Sequence, residues 1–152
     1  MPTVENIYLG NPNLKKANTP IEFTQEQVLE FVACRHDPVY FAQKYIKIVT
    51  LDHGLQPFAM YDFQKKLIEN FHENRFNICK MPRQTGKSTT VVSYLLHYAV
   101  FNDNVNIAIL ANKASTARDL LGRLQLAYEN LPNWMQQGII SWNKGSLELE
   151  NG

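Results

Sequence analysis

The chain has 152 residues, of which 45% are hydrophobic and 19% are charged, so its composition is that of a folded protein rather than a disordered one. Its 15 basic and 14 acidic residues leave a net charge of +1, which excludes a polybasic arm or an acidic tail as the main feature. No apolar run reaches the roughly 18–20 residues of a membrane span, and no secretory signal is visible at the N-terminus. The two cysteines form neither a metal spacing nor a disulfide framework, which suits a reducing cytoplasm.

The first third of the chain is predicted to be an arm followed by helices. Residues 1–23 carry turn signals without an apolar period, and we interpret them as an arm. Thr24, with Gln27 three residues later, has the form of a capping box, which predicts a helix start. Asp37 followed by Pro38 predicts a second start, because proline is favoured at the first helical position. The apolar face predicted for the first helix consists of Val28, Leu29, Phe31 and Val32.

The middle of the chain is predicted to contain two short strands and one helix. Residues 46–51 are β-branched and predict a strand that ends in a turn at residues 52–54. From Asp62 the apolar residues recur at spacings of three and four, which predicts a helix. Residues 76–81 form a short apolar run that predicts a strand, and residues 82–86 break it.

The last third alternates helices and strands. A helix is predicted from Lys87 to about residue 101, the clearest strand of the chain over residues 105–111, and a further helix over residues 114–130. A hairpin with a turn at residues 143–145 follows. Because strands alternate with helices of 12–17 residues, we expect parallel βαβ units and an α/β fold.

The segment from Met81 to Ser88 carries the clearest chemical signal. It ends in Gly-Lys-Ser, as a phosphate-binding loop does. Gly86 allows the backbone to approach a phosphate closely, and N–H groups at a following helix N-terminus favour an anion. Lys87 can reach the terminal phosphates, and the Ser88 hydroxyl can ligate the Mg²⁺ that bridges them. The consensus glycine five residues before Gly86 is replaced by Met81, and the simpler interpretation is a turn with a solvated lysine.

The stretch from Pro82 to Ser88 resembles the deviant phosphate loop of the large terminase subunit of tailed bacteriophages. In that loop an Arg-Gln pair stands before x-Gly-Lys-[Ser/Thr], in place of a glycine-rich start. The similarity covers about residues 10–152 and is strongest to myovirus-type terminases. Beyond the loop, it lies in residues 11–18, 34–42, 61–64, 109–113 and 142–149.

This resemblance implies an incomplete three-layer P-loop NTPase fold of the ASCE type, with residues 24–152 as the N-terminal portion of the ATPase domain. It implies an ATPase that, when complete, uses ATP and Mg²⁺ to drive DNA into a procapsid, in the host cytoplasm and away from membranes. The implied partners are the portal protein, the small terminase subunit, double-stranded DNA, other motor subunits and the missing C-terminal part as a separate chain.

The resemblance also assigns roles to individual residues. Arg83 and Lys87 match catalytic positions, and Ser88 matches the Mg²⁺ ligand. Gln64 matches the glutamine that reads adenine, whereas Tyr61 stands where a basic residue is expected and can stack on the base instead. The nucleotide-binding positions implied in this way are Gln64, Arg83, Gln84, Thr85, Gly86, Lys87, Ser88 and Thr89.

A carboxylate needed for hydrolysis is not evident. An ATPase of this class places an acidic residue at the end of an apolar strand, where it holds Mg²⁺ and activates water, and no such strand follows Lys87. Asp52 follows an apolar strand but precedes the loop, so we interpret it as a turn residue. Glu148 and Glu150 alternate with leucines, which predicts the solvated side of a hairpin.

The family's nuclease domain is also not evident, and we interpret the chain as a truncated gene, one piece of a split gene or a designed fragment. The resemblance further implies that later strands separate residues 76–81 from residues 105–111. Without them, apolar sheet edges would be exposed. We therefore expect the chain to be nearly inactive in ATP hydrolysis and either marginally stable or paired with a second chain.

Two other functions fit the same residues. One is a helicase-like P-loop ATPase that shares the loop and the glutamine motif. The other is a non-catalytic fragment that binds nucleotide or a partner. Three basic residues, Lys113, Arg118 and Arg123, are interpreted as a solvated helix face, with a surface toward DNA or a neighbouring subunit as the alternative.

Overall fold

The computed structural model describes residues 6–50 and 52–152; residues 1–5 of the predicted arm and residue 51 of the predicted strand lie outside the described residues. The described chain is mixed α/β, as expected. Its helices are α1 (Gln25–His36), α2 (Pro38–Tyr45), α3 (Asp62–Glu73), α4 (Lys87–Phe101) and α5 (Ala114–Glu129). Its strands are β1 (Ile7–Tyr8), β2 (Asn11–Lys15), β3 (Lys47–Thr50), β4 (Gly54–Pro57), β5 (Ile139–Trp142) and β6 (Leu147–Leu149).

Both predicted helix caps are confirmed. The Gln27 N–H donates to Thr24 Oγ1 at 3.2 Å, and the Thr24 N–H donates back to Gln27 Oε1 at 3.0 Å, which completes the capping box at the start of α1. At the start of α2, the Tyr40 N–H donates to Asp37 Oδ1 at 2.8 Å, and Pro38 occupies the first helical position. These local signals fix both helix starts because each involves residues only three apart.

The core is built around α4, which packs against α2, α3 and α5. Phe41 of α2, Ile68 of α3 and Leu96 of α4 are fully buried. No helix in the described part of the chain combines the length and the apolar character needed to cross a bilayer. The helical core therefore holds α4, and with it the N-terminus of α4, in a fixed position.

The apolar face predicted for α1 is buried only in part, because Phe31 is partly buried and packs on Phe101 with ring centroids 4.8 Å apart. Val28, Leu29 and Val32 are exposed, so the prediction is wrong for these three residues, whereas Cys34 is fully buried. The helix turns Glu30 and Cys34 toward α2, because the Glu30 carboxylate is the acceptor for three side chains of that helix. These donors are Tyr45 Oη at 2.9 Å, Tyr40 Oη at 3.2 Å and Lys44 Nζ at 2.8 Å.

The parallel βαβ arrangement is not observed among the described residues. The strands pair as three separate antiparallel hairpins, β1–β2, β3–β4 and β5–β6. The sequence predicts strands over residues 76–81 and 105–111, but these segments pair with no described strand. Ile78 is 99% exposed and Leu110 is 87% exposed. A β-branched sequence favours an extended backbone, but a strand needs a hydrogen-bonded neighbour, which sequence preference cannot supply.

The two ends of the described chain are joined by polar contacts that the sequence did not reveal. Glu150 is exposed, as the sequence predicts, and its carboxylate also accepts the N–H groups of Gly138 at 2.7 Å and Asn18 at 2.8 Å. It also lies 3.4 Å from Nζ of the buried Lys15. Burial raises the pKa of Glu150, but these donors outweigh that effect and hold the pKa below its usual range. The predicted arm is therefore anchored through its β1–β2 hairpin.

Candidate phosphate-binding site

The site is formed by residues 81–88, here called the Gly86 loop, and the first turn of α4. The predicted helix after the loop is confirmed: α4 begins at Lys87, with Gly86 as its N-cap. Gly86 has a φ of 73°, a left-handed conformation that favours glycine. Its carbonyl accepts hydrogen bonds from both the N–H and the hydroxyl of Thr90, each at 3.0 Å. The helix start is thus fixed from its first turn.

The amide groups at the start of α4 are available to a ligand. The first N–H groups of an α-helix have no partner within the helix, and a glycine cap has no side chain to accept from them. Gly86 makes no side-chain cap bond. These N–H groups, together with the positive end of the helix dipole, favour an anion at this position.

The lysine of the loop is held in place by the backbone that precedes it. Lys87 Nζ donates to the carbonyl of Met81 at 3.3 Å, so the side chain reaches back six residues and is partly buried. In the described part of the chain, neither Lys87 nor Arg83 forms an ion pair with a carboxylate. The positive charge of Lys87 therefore lies at the loop itself and remains available to a negatively charged ligand.

The other predicted site residues around the loop differ in their solvent exposure. Thr85 donates its hydroxyl to the Pro82 carbonyl at 3.1 Å, which closes the turn. Arg83 and Gln84 are exposed, and Gln84 has a φ of 61°, so the backbone takes a left-handed conformation here as well. In the first turn of α4, Ser88 is exposed and Thr89 is partly buried. All these predicted site residues thus lie around the start of α4.

Gln64, at the start of α3, contacts the loop. Its side chain is only 3% exposed. Its Oε1 accepts the N–H of Tyr61 at 2.9 Å, and its Nε2 donates to the carbonyl of Thr85 at 3.1 Å. A Cβ atom placed on Gly86 would lie 2.5 Å from Gln64 Nε2. The structure therefore brings Gln64 to the loop from 21 residues away, with both ends of its amide bonded to the protein.

An exposed aromatic pair lies beside Gln64. The rings of Tyr61 and Phe63 are stacked, with centroids 5.7 Å apart and planes 9° from parallel. Tyr61 is 69% exposed and Phe63 is 44% exposed. Phe63 is one of the apolar residues whose spacing predicts α3, and in the structure it lies in the first turn of that helix and packs on Tyr61.

Two cavities of the described structure lie outside the Gly86 loop. A cavity of about 410 Å³ lies away from the loop, between residues 105–109, α5 and the β5–β6 hairpin. A second cavity of about 270 Å³ is lined by Thr89, in the first turn of α4, and by no residue of the Gly86 loop. Within residues 6–50 and 52–152, no group of three His, Cys, Asp or Glu side chains is placed to hold a metal ion.

The prediction that a strand precedes the loop is wrong for the described structure, while the predicted loop and helix are observed. Asp52, interpreted from the sequence as a turn residue, is exposed in the turn between β3 and β4. No model of a known protein family matches the chain.

Proposed function

We propose that this chain binds a nucleoside triphosphate with Mg²⁺, and ATP in particular, at the Gly86 loop. The observation that carries the proposal is the position of Lys87. Its ammonium group lies 3.3 Å from the Met81 carbonyl, across a loop that leads directly into the N-terminus of α4. A cation held at a helix start that has no side-chain cap is complementary to a chain of phosphates.

The donors present at the site fit a magnesium-bound triphosphate. Backbone N–H groups and the Lys87 ammonium suit phosphate oxygens, and the exposed Ser88 hydroxyl suits Mg²⁺, which prefers oxygen ligands. Gly86 leaves the loop without a Cβ atom at the point where the backbone has a positive φ. When bound, Mg²⁺ would neutralise charge on the terminal phosphates. Arg83, exposed on the outer side, offers a guanidinium that can form a bidentate contact with phosphate oxygens.

We further propose that the chain is the N-terminal ATPase portion of a phage large terminase subunit, with a P-loop NTPase fold. The support is the similarity of residues 10–152 to that family, together with the loop and helix described above. In this proposal, Arg83 and Lys87 act on the phosphates during hydrolysis. The complete motor would work in the host cytoplasm with double-stranded DNA, a portal protein, a small terminase subunit and other motor subunits.

The residues of this chain support binding better than turnover. Hydrolysis in P-loop motors needs a carboxylate that positions Mg²⁺ and the attacking water, and the sequence presents none at a strand end after Lys87. We therefore expect weak binding of ATP with little or no hydrolysis by the chain alone.

The test is isothermal titration calorimetry with Mg·ATP on the wild type, on Lys87→Ala and on Lys113→Ala as a matched control. Lys113 is an exposed lysine at the N-cap of α5, so its helix position is comparable. Loss of a charge-assisted hydrogen bond of about 1.5–3 kcal/mol predicts that Lys87→Ala weakens binding by roughly 10- to 150-fold. Lys113→Ala should leave the affinity unchanged. Equal affinity of the wild type and Lys87→Ala for Mg·ATP would contradict the proposal. Rapid ATP turnover by the wild type would contradict the separate inference that the catalytic carboxylate is missing.

A further inference from the structure

We propose that the outer edge of β3 is a docking site for an extended segment of another protein that alternates apolar and acidic side chains. The starting observation is the cavity of about 270 Å³ that β3 shares with α4 and α5. Lys47, Ile48 and Val49 of β3 line this cavity, and no residue of β4 does. The edge of β3 that faces away from β4 therefore borders the cavity. Because no residue of the Gly86 loop lines it, the inference does not depend on nucleotide binding.

The backbone of this edge has hydrogen-bonding groups that β4 does not use. In an antiparallel pair, residues bonded to the partner strand alternate with residues whose N–H and C=O groups point outward. The Phe58 N–H donates to the Ile46 carbonyl at 2.9 Å, which places Ile46 and Ile48 in bonded positions. The groups of Lys47 and Val49 therefore point away from β4. Since β3 pairs only with β4 in the described part of the chain, an extended segment can add to this edge as a third strand.

The wall of the cavity suits an apolar side chain of such a segment. Three of the lining residues, Ile46, Val92 and Ala127, are at most 4% exposed. The hydroxyl of Ser93, which also lines the cavity, already donates to the Thr89 carbonyl at 2.8 Å and needs no further acceptor. A cavity of about 150 Å³ is large enough to hold benzene. The cavity beside β3 can therefore accept a large aliphatic or aromatic side chain of a docked strand.

Two cations at the rim define the charge of the partner. Lys47 on β3 and Arg123 on α5 are exposed, line the cavity and form no ion pair with a carboxylate among the described residues. Successive side chains of a strand point to opposite faces, so a segment with one residue in the cavity presents the neighbouring residues beside Lys47. Carboxylates at these neighbours complement both cations. A second copy of this chain would instead add its own Lys47 and Arg123, and a nucleic acid would leave the apolar wall unused.

The first experiment titrates the protein with a short synthetic peptide that alternates glutamate and valine, followed by ¹H–¹⁵N correlation spectroscopy. We expect the amide signals of β3 to shift and saturate. Val49→Pro removes an outward N–H from this edge, and Leu55→Pro is the matched control because Leu55 pairs with Val49 and points its own N–H outward at the opposite edge of the hairpin. Val49→Pro should weaken peptide binding at least about fivefold, and Leu55→Pro should leave it unchanged. Equal affinity of the two variants, or no binding by the wild type, would overturn the inference.

The charge of the partner is tested by a second peptide in which lysine replaces glutamate. The wild type should bind only the glutamate peptide, and a variant that combines Lys47→Glu with Arg123→Glu should bind only the lysine peptide. The same preference in both proteins would overturn the assignment of an acidic partner. A DNA duplex that shifts the β3 signals at lower concentration than the glutamate peptide would assign the surface to nucleic acid. Shifts of these signals with protein concentration alone would assign it to a second copy, and either result would overturn the inference.

A measurement on the wild type keeps the inference testable if Val49→Pro does not fold. Two further glutamate–valine peptides are methylated at alternate backbone nitrogens, one at the odd and the other at the even positions. Methylation removes N–H donors from one edge of the peptide and retains its side chains. We expect one of the two peptides to bind at least about fivefold more weakly than the unmethylated peptide, because only one edge can pair with β3. Equal affinity of all three peptides would show that no strand is added and would overturn the inference.

Discussion

Replacing Gly86 with alanine should destabilise the protein, whereas the same replacement at Gly122 should stabilise it. At Gly86 the φ of 73° costs an alanine roughly 1–2 kcal/mol. The added Cβ would lie 2.5 Å from Gln64 Nε2. The amide can move aside only by losing its bond to the Thr85 carbonyl, at a further cost of about 1 kcal/mol. We therefore expect Gly86→Ala to lower the free energy of unfolding by about 2–3 kcal/mol.

Gly122 is a matched control because it lies inside α5 without a positive φ, and the Cβ of an alanine there would meet no atom within 4 Å beyond its chain neighbours and its own helix backbone. Removing a helical glycine of this kind should stabilise the protein by about 0.5–1 kcal/mol. Urea unfolding followed by circular dichroism gives both values, provided that the transition is two-state. Equal effects of the two substitutions would refute the conformation assigned to Gly86 and its contact with Gln64.

Three further predictions concern stability and base binding. Burial lowers the pKa of His97 to about 4, so the unfolded chain takes up a proton first and stability is lost as the pH falls through 6.5. Urea unfolding of the wild type should show a free energy of unfolding that is about 2 kcal/mol lower at pH 5 than at pH 7, and His97→Gln should lack this difference. The same pH dependence in the variant would argue against this assignment. Glu150→Ala leaves the buried Lys15 without its carboxylate and should lower the free energy of unfolding by about 2–3 kcal/mol. As a control, Glu148→Ala at the exposed Glu148 should change the free energy of unfolding by less than about 0.5 kcal/mol. Equal effects of the two substitutions would contradict the proposed anchoring of the arm. If the exposed ring of Tyr61 stacks on the nucleotide base, Tyr61→Ala should weaken the binding of ATP and GTP about fivefold and leave the binding of tripolyphosphate unchanged. An equal loss of affinity for tripolyphosphate would exclude stacking.

Sequence signals that act over a few residues predicted the structure well. The capping box at Thr24 and the Asp37-Pro38 start are observed as predicted. The helix after Gly86 begins at the expected residue, and the C-terminal hairpin turns at residues 143–145. In each case the decisive interaction joins residues that are close in sequence, so local chemistry is sufficient.

Interactions between distant residues could not be predicted in the same way. Glu150 alternates with leucine as a solvent-facing residue would, yet it binds Asn18, 132 residues away along the chain. The amide of Gln64 donates to the carbonyl of Thr85, 21 residues away along the chain, and the sequence around Gln64 does not predict this contact. Which partner a polar side chain finds depends on the packing of whole elements, and its own sequence surroundings carry little information about that.

The two unpaired apolar segments illustrate a second limit. Residues 105–110 keep the alternating exposure of a strand, partly buried at every second residue, although they pair with no described strand. The alternation of apolar residues thus predicted the alternating exposure correctly but not the strand pairing. The expectation that the chain is marginally stable, or pairs with a second chain, stays a prediction; exposed Phe76, Ile78 and Leu110 are in keeping with it.

The most direct test of the central claim is to follow the backbone amides by ¹H–¹⁵N correlation spectroscopy while Mg·tripolyphosphate is added. If the start of α4 binds phosphate, the signals of Gly86, Lys87 and Ser88 should show the largest shifts and saturate together. The equivalent amides at the start of α5, Ala114 and Ser115, should not move, although they also begin a helix. Shifts that are absent at Gly86, or equal at the two helix starts, would contradict a phosphate site at this loop.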